Sequence, residues 1–364
     1  MSPQHEMNME KRNWLYRWFD ERIDLNNLNK FLKHKTVPEH QYSLWYYLGG
    51  MTLYLFIVQV ITGILLLLYY RPTAESAYES VRYIMTDVPF GWLVRSIHSY
   101  AANLFIGVVF VHMFSVFLMK GYRKPRELTW ISGALLLFIA LGFGFSGYLL
   151  PWNQLSYLAT NVGTNFATMV PFLGNWILHF LRGGNEVTGA TLTRFFGFHV
   201  AVLPGCMTLF LGIHLMFIQR QGMSVPISVE KEIAASKAKR LEIPFFPNFL
   251  YRDMLGWTLA LGLIVLLASI FPWELGDKAD ILKPAPAHIK PEWYFVFMYQ
   301  TLKYVPKIIG IFGFALAGFI WILLPFFDRK SNRGIPNRLY TIIGIIVLAY
   351  MIILTAIGYL APGE

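Results

Sequence analysis

WLVRSIHSYAANLFIGVVFVHMFSVFLM (residues 92–119) and RFFGFHVAVLPGCMTLFLGIHLMFI (residues 194–218) decide the fold of this chain. Crossing ~30 Å of hydrocarbon takes about 20 mostly apolar residues, and both stretches are long and apolar enough. Each also carries two histidines at depths where ionisable groups are costly and functional by default. His98 and His112 are 14 residues apart, and His199 and His214 are 15 apart. Four helical turns take about 14.4 residues, so each pair lies near one face of its helix. At about 1.5 Å per residue, the two levels are roughly 21–22 Å apart.

Further spans flank these two. Seven stretches qualify: 44–70, 92–119, 128–150, 194–218, 254–271, 308–327 and 339–360. The fold class is all-α transmembrane, a four-helix bundle followed by three further spans. Composition agrees: 55% of the 364 residues are apolar and 14% are charged, against about 25% charged in soluble domains. The net charge of +10 could suggest nucleic acid, but 21 of the 31 Lys and Arg residues lie in the N-terminal arm and the loops after spans two, four and six. That is a topology signal, which puts the N-terminus in the cytoplasm and the C-terminus outside. No nucleic-acid partner is expected. The first 35 residues lack the apolar core of a cleaved signal peptide. A lone cysteine, Cys206, excludes a disulfide framework and a cysteine-ligated zinc or iron–sulfur site.

Residues 14–32 place Trp14, Leu15, Trp18, Ile23, Leu28 and Leu32 at helical spacing, as in a helix lying at a membrane surface or packed on the subunit's own loops. The stretch 166–181 is broken by Pro171, Gly174 and the Gly183-Gly184 pair, and reads as short surface helices. The domains expected are a cytoplasmic arm at 1–43, the four-helix unit at 44–218, a polar cytoplasmic linker at 219–248 and a three-helix unit at 249–364.

Spans two and four both run from outside to inside, so His98 faces His199 near the outer surface and His112 faces His214 near the inner one. Two neutral imidazoles from facing helices at one depth are what a six-coordinate b-type haem needs. Helix-packing or proton-relaying histidines are the competing reading. Gly49 and Gly63 in span one, and Gly133 and Gly147 in span three, repeat at the same 14-residue interval. Without side chains they would let a flat macrocycle approach the backbone, although small residues also serve ordinary helix packing. Arg95 and Arg194 sit at the outer mouth, where guanidinium groups could pair with haem propionates or simply reach out to the interface.

Several stretches carry a family resemblance over nearly the whole chain. They are Gly91-Trp92-Leu93-Val94-Arg95-Ser96-Ile97-His98, Lys124-Pro125-Arg126-Glu127-Leu128-Thr129-Trp130, Gly147-Tyr148-Leu149-Leu150-Pro151-Trp152, Leu192-Thr193-Arg194-Phe195-Phe196 and Pro291-Glu292-Trp293-Tyr294. These resemble cytochrome b of the bc-type quinol:cytochrome c reductases. The 15-residue spacing of the second pair, the stretch Gln221-Gly222-Met223-Ser224-Val225-Pro226 and the count of three later spans look like the b6f branch, with its two halves fused.

The resemblance implies two haem b groups, a quinol/quinone substrate, proton translocation and electron transport in a bacterial cell membrane. Its implied partners are a Rieske iron–sulfur protein and a c-type cytochrome, in a homodimeric complex. It also implies Glu292 as proton acceptor with Tyr294 as its hydrogen-bonding partner at an outer quinol site, and adds Tyr148 and Asp253 to the cofactor-binding residues. Arg252-Asp253 resembles a Lys-Asp pair at the inner quinone site. Three positions depart from the family. Tyr47 replaces the cysteine that holds a covalent third haem, so none is expected; Ser115 replaces an arginine near the inner haem; and Gln219 replaces a quinone-contacting histidine.

Two other readings remain. A simple di-haem anchor would share the histidines without needing Pro291-Glu292-Trp293-Tyr294 or the last three spans. A proton-relaying transporter would need no matched glycine repeats and would be colourless.

Overall fold

The structure, a computed structural model, describes residues 14–27, 34–236, 240–280, 282–283 and 289–360. Its helices are α1 (Trp14–Ile23), α2 (Tyr47–Leu67), α3 (Ala77–Thr86), α4 (Gly91–Leu118), α5 (Glu127–Leu149), α6 (Gln154–Asn165), α7 (Gly174–Arg182) and α8 (Gly189–Gly197). They continue as α9 (Leu203–Gln221), α10 (Ile227–Ser236), α11 (Leu250–Ile270), α12 (Trp293–Tyr304), α13 (Lys307–Ile322), α14 (Leu324–Phe327), α15 (Arg329–Asn332) and α16 (Arg338–Leu360).

Among the described residues, six helical stretches are long and apolar enough to span a membrane: Ser43–Leu67, Gly91–Leu118, Glu127–Leu149, Gly189–Gln221, Phe245–Ile270 and Arg338–Leu360. The seventh expected span, 308–327, is shorter than the sequence suggested, because α13 stops at Ile322. Pro325 has no N–H with which to extend the ladder. The Trp321 carbonyl, four residues earlier, instead accepts the indole N–H of Trp130 at 2.8 Å. A helix satisfies its own backbone groups, which is why helices suit hydrocarbon. Leu255, Leu259, Leu263 and Leu266 lie exposed along one stripe of α11, as lipid contact requires.

α2 packs on α4 and α5 packs on α9, and these two pairs make the bundle. α11 packs on α4 and α2, while α12 packs on α16. Buried Leu55, Phe105, Ile106, Ile264 and Tyr294 share one apolar core, so both halves of the chain contribute to it. The stretch 166–181 is indeed broken, into a 3₁₀ turn at Phe166–Met169 and α7. Buried Arg182 ties these surface elements together through Thr164, Asn161, Asn165 and Asn185.

Of the expected amphipathic segment, α1 forms with Trp14, Leu15, Trp18, Phe19 and Ile23 exposed; Leu28 and Leu32 lie outside the described residues. The polar 219–248 segment holds α10 and a strand, β2 (Glu242–Pro244). This strand pairs antiparallel with β1 (Thr36–Pro38) of the N-terminal arm, Val37 opposite Ile243. At the same end of the bundle, Asp328 is fully buried and accepts from Tyr122 (2.7 Å), Asn337 (2.6 Å) and the Ser331 N–H (3.1 Å).

Candidate functional site

Each of the four histidines faces a glycine of the neighbouring helix. A Cβ on Gly63 would lie 3.4 Å from His98 Cε1, and one on Gly49 would lie 3.4 Å from His112 Cε1. On the other helix pair, a Cβ on Gly133 would lie 3.1 Å from His214 Cε1, and one on Gly147 would lie 2.6 Å from His199 Cε1. The sequence reading assigned these glycines to macrocycle clearance; what they adjoin directly is imidazole.

The residue before three of these glycines bears a hydroxyl. Thr62 Oγ1 is 2.8 Å from His98 Nδ1, Ser132 Oγ is 3.0 Å from His214 Nδ1 and Ser146 Oγ is 3.1 Å from His199 Nδ1. Each hydroxyl also donates to its own helix, to the carbonyls of Val58 (2.7 Å), Thr129 (3.0 Å) and Phe143 (3.3 Å) respectively. A hydroxyl has one hydrogen to give. A hydroxyl hydrogen given to its own helix leaves the oxygen to accept from an imidazole Nδ1–H, and the lone pair then sits on Nε2. Such a bond behind the ring sets the tautomer that a metal ligand needs.

His98 and His199 face one another with ring centroids 6.4 Å apart, and at the other level His214 lies within electrostatic reach of His112. Two imidazoles holding one metal ion through Nε2, at about 2 Å each, have centroids roughly 6 Å apart. The residues present therefore fit a bis-imidazole haem.

The unequal spacings of 14 and 15 are reconciled by backbone geometry. Phe198–Val202, which contains His199, forms a π turn, and the Leu203 N–H reaches back five residues to Phe198 O. One extra residue is absorbed there, and Pro204 follows without an N–H to restore the tighter ladder.

The two arginines of the outer mouth have different surroundings. Arg95 is buried and donates to the carbonyls of Trp273 and Glu274 (3.1 Å for the latter), on the segment after α11. Arg194 is exposed and bonds the Ala190 carbonyl of its own helix at 3.3 Å.

Pro291-Glu292-Trp293-Tyr294 is drawn into the bundle at the start of α12. The Trp293 indole N–H donates to Asn103 Oδ1 of α4 at 2.9 Å. Buried Tyr294 packs its hydroxyl over Gly144 of α5, where a Cβ would collide with it. Glu292 is half-buried, makes no ion pair among the described residues, and has its carboxyl pushed up by burial. Tyr148 and Tyr359 lie within its electrostatic reach. An apolar groove of about 830 Å³ runs beside Trp293 and Tyr294, lined by Phe110, Phe114, Phe297 and Ile352.

Asp253 belongs to a separate cleft of about 420 Å³, lined also by Val37, Glu39, Tyr47, Met51 and Arg252. It is buried against Gly50, which leaves no room there for a Cβ, and Asp253 Oδ1 has no hydrogen-bond donor among the described residues. Arg252 pairs with Glu39 at 3.3 Å. The β1–β2 pairing brings this arm to the cleft.

Fold and site together define a class: a membrane-spanning helix bundle with paired imidazoles at two levels. Residues 32–222 match the family described as Cytochrome b/b6/petB, and residues 278–364 match Cytochrome b(C-terminal)/b6/petD. The chain is 48% identical over 350 residues to the cytochrome bc complex cytochrome b subunit of Chlorobaculum thiosulfatiphilum, covering 95% of this chain and 81% of that one. It is 42% identical over 212 residues to cytochrome b6 of Trichodesmium erythraeum, covering 58% and 95%. A solved structure named Hyperthermophilic respiratory Complex III superposes with a TM-score of 0.84 at 32% identity, covering 95% of this chain and 91% of that one. The chain belongs to the cytochrome b family. It is an integral membrane protein of a family that binds b-type haem.

Sequence reasoning missed Thr62, Ser132, Ser146 and Asn103. The first three were marked by a hydroxyl residue before a glycine, recurring on the interval already noticed. Asn103 carried no signal, since its partner lies 190 residues away.

Proposed function

We propose that this chain is the cytochrome b subunit of a bc-type quinol:cytochrome c oxidoreductase in a bacterial cell membrane, with its N-terminus cytoplasmic. His98 and His199 would hold an outer haem b, and His112 and His214 an inner one. When bound, the haems supply one-electron redox chemistry across the bilayer. The observation that carries this reading is the facing pair His98 and His199, ring centroids 6.4 Å apart, with a hydroxyl at Nδ1 of His98, His199 and His214 placed to accept and so to leave Nε2 free for a metal. Arg95 and Arg194 border the outer level and offer guanidinium N–H groups to propionates.

At the outer quinol site, Glu292 accepts a hydroxyl proton. Its raised carboxyl pKa brings it toward the range where a general base works best near neutrality. Tyr294, anchored over Gly144, orients the same hydroxyl, and the adjoining apolar groove suits an isoprenoid tail. One electron leaves for a Rieske iron–sulfur protein and then a c-type cytochrome; the other crosses to an inner quinone. Asp253 and Arg252 line the cleft suited to that quinone, with Asp253 passing protons in. Protons taken up inside and released outside contribute to a transmembrane gradient. The complex is a homodimer, and Tyr47 leaves it without a covalent third haem. Domains at 44–218 and 249–364 divide the work, haem binding in the first and most of the outer quinol site in the second.

A redox-titrated optical spectrum with a haem-to-protein ratio tests the reading. Two b haems per chain, lost level by level on His→Ala substitution, are expected. A colourless protein, or a single haem indifferent to two of the histidines, would overturn it.

A further inference from the structure

His112 is the exception among the four histidines. Its Nδ1 is buried without a hydrogen-bond partner among the described residues, although a Cβ on Gly49 would lie 3.4 Å from its ring, the same distance as from a Cβ on Gly63 to His98. The difference lies one residue earlier in α2. Thr62 precedes Gly63 and takes the His98 proton, whereas Leu48 precedes Gly49 and has nothing to accept with. Ser115, on the same helix as His112, gives its hydroxyl hydrogen to the His112 carbonyl (2.7 Å) and leaves Nδ1 unserved. Three imidazoles are therefore backed by an oxygen, and the fourth is backed by hydrocarbon.

A hydrogen bond from Nδ1–H to an oxygen makes the ring a more basic ligand, and hydrogen bonding behind an axial ligand is one of the levers on a haem's potential. More electron donation favours the oxidised metal. Each backed imidazole pulls its own level's potential down, and the level of His112 and His214 has one where the level of His98 and His199 has two.

We propose that Leu48 is a potential-setting residue: by withholding an acceptor from His112, it holds the inner level's potential above the value that a hydroxyl at position 48 would give it. The proposal rests on the two-haem reading above.

The test is a redox titration of the purified complex by optical spectroscopy, for the native chain, Leu48→Thr and Thr62→Val. A His112→Ala variant identifies which titration step belongs to the inner level. Leu48→Thr places a hydroxyl in the register that Thr62 holds beside His98, and its inner midpoint is expected to move down with the outer midpoint unchanged. Thr62→Val is expected to move the outer midpoint up. A Leu48→Thr complex that keeps both haems and an unmoved inner midpoint would overturn the proposal. Should Leu48→Thr fail to assemble, an unmoved outer midpoint in Thr62→Val would overturn it instead. A native chain without two haems would refute the functional reading itself, so the two failures are distinguishable.

Discussion

At Gly147 the clearance to its imidazole is the smallest of the four, 2.6 Å for an added Cβ, whereas at Gly63 on the same level it is 3.4 Å. The first contact forces His199 to move, and the second is ordinary van der Waals contact. Overpacking of this kind costs typically about 1–3 kcal/mol. Gly147→Ala is therefore expected to lose the outer haem while Gly63→Ala keeps it, as read from the haem-to-protein ratio of each purified variant. Glu292 makes a second residue-scale prediction. Burial raises its pKa, and a proton acceptor must be ionised to act. Quinol oxidation is expected to fall as pH drops through that raised value, and Glu292→Gln should be slower by about 10²-fold or more without that acidic limb. A Gln variant with the native pH profile would remove Glu292 from the mechanism. Much of this was legible in the sequence, because histidine and glycine on a shared interval encode which faces meet. The direction in which Arg95 points was not legible: its acceptors are backbone carbonyls 178 and 179 residues away, and carbonyls have no sequence identity.

Among the elements, the span from α8 to α9 shows what periodicity can hide. A regular helix turns about 100° per residue, so a 14-residue interval falls about 40° short of four full turns and a 15-residue interval passes them by about 60°, which puts the two spans out of register with one another. The π turn at Phe198–Val202 takes up that rotation. Deleting Ala201, inside the turn, should convert it to regular α-helix with a 14-residue interval and retain both haems. Deleting Thr208, beyond the turn, should keep the bulge, swing His199 away and cost the outer haem. Spectra of the two deletion variants decide it, and equal behaviour would mean that the turn carries no register. The sequence shows the odd spacing and Pro204 but not where the slack is stored, since several turns could have held it. The shortened α13 is the opposite case: Pro325 stands in the sequence, and hydropathy alone passes over it.

Across the whole molecule, the two halves are joined at both ends. Arg95 holds the segment after α11 at one end. Asp328 joins the loop after α4 to the segment before α16 at the other, through Tyr122 and Asn337. Burial alone would raise the Asp328 carboxyl, but hydrogen bonds from Ser331, Tyr122 and Asn337 outweigh it and hold the pKa below the usual value. A depressed carboxylate contributes stability above its unfolded pKa and loses it as pH falls through the folded one. Asp328→Ala removes charge-assisted bonds worth on the order of 1.5–3 kcal/mol each. It should lower the midpoint of thermal haem release, and an unchanged midpoint would mean the cluster is ornamental. The outline of six spans and a shorter seventh helix could largely be read from hydropathy; these joints could not, because each pairs residues that no local pattern relates.

The small β1–β2 pairing bears on how such a chain could be inherited. Its strands lie on opposite sides of the 219–240 stretch, one on the arm before the bundle and one just ahead of α11. Covalent continuity across that stretch is thus duplicated by a docking contact. A gene interrupted after Ser236 would yield two polypeptides that each keep one strand of the clasp. Co-expressed, they should co-purify with the full complement of haem, so that fission or fusion of this subunit could occur in a lineage with little penalty to assembly.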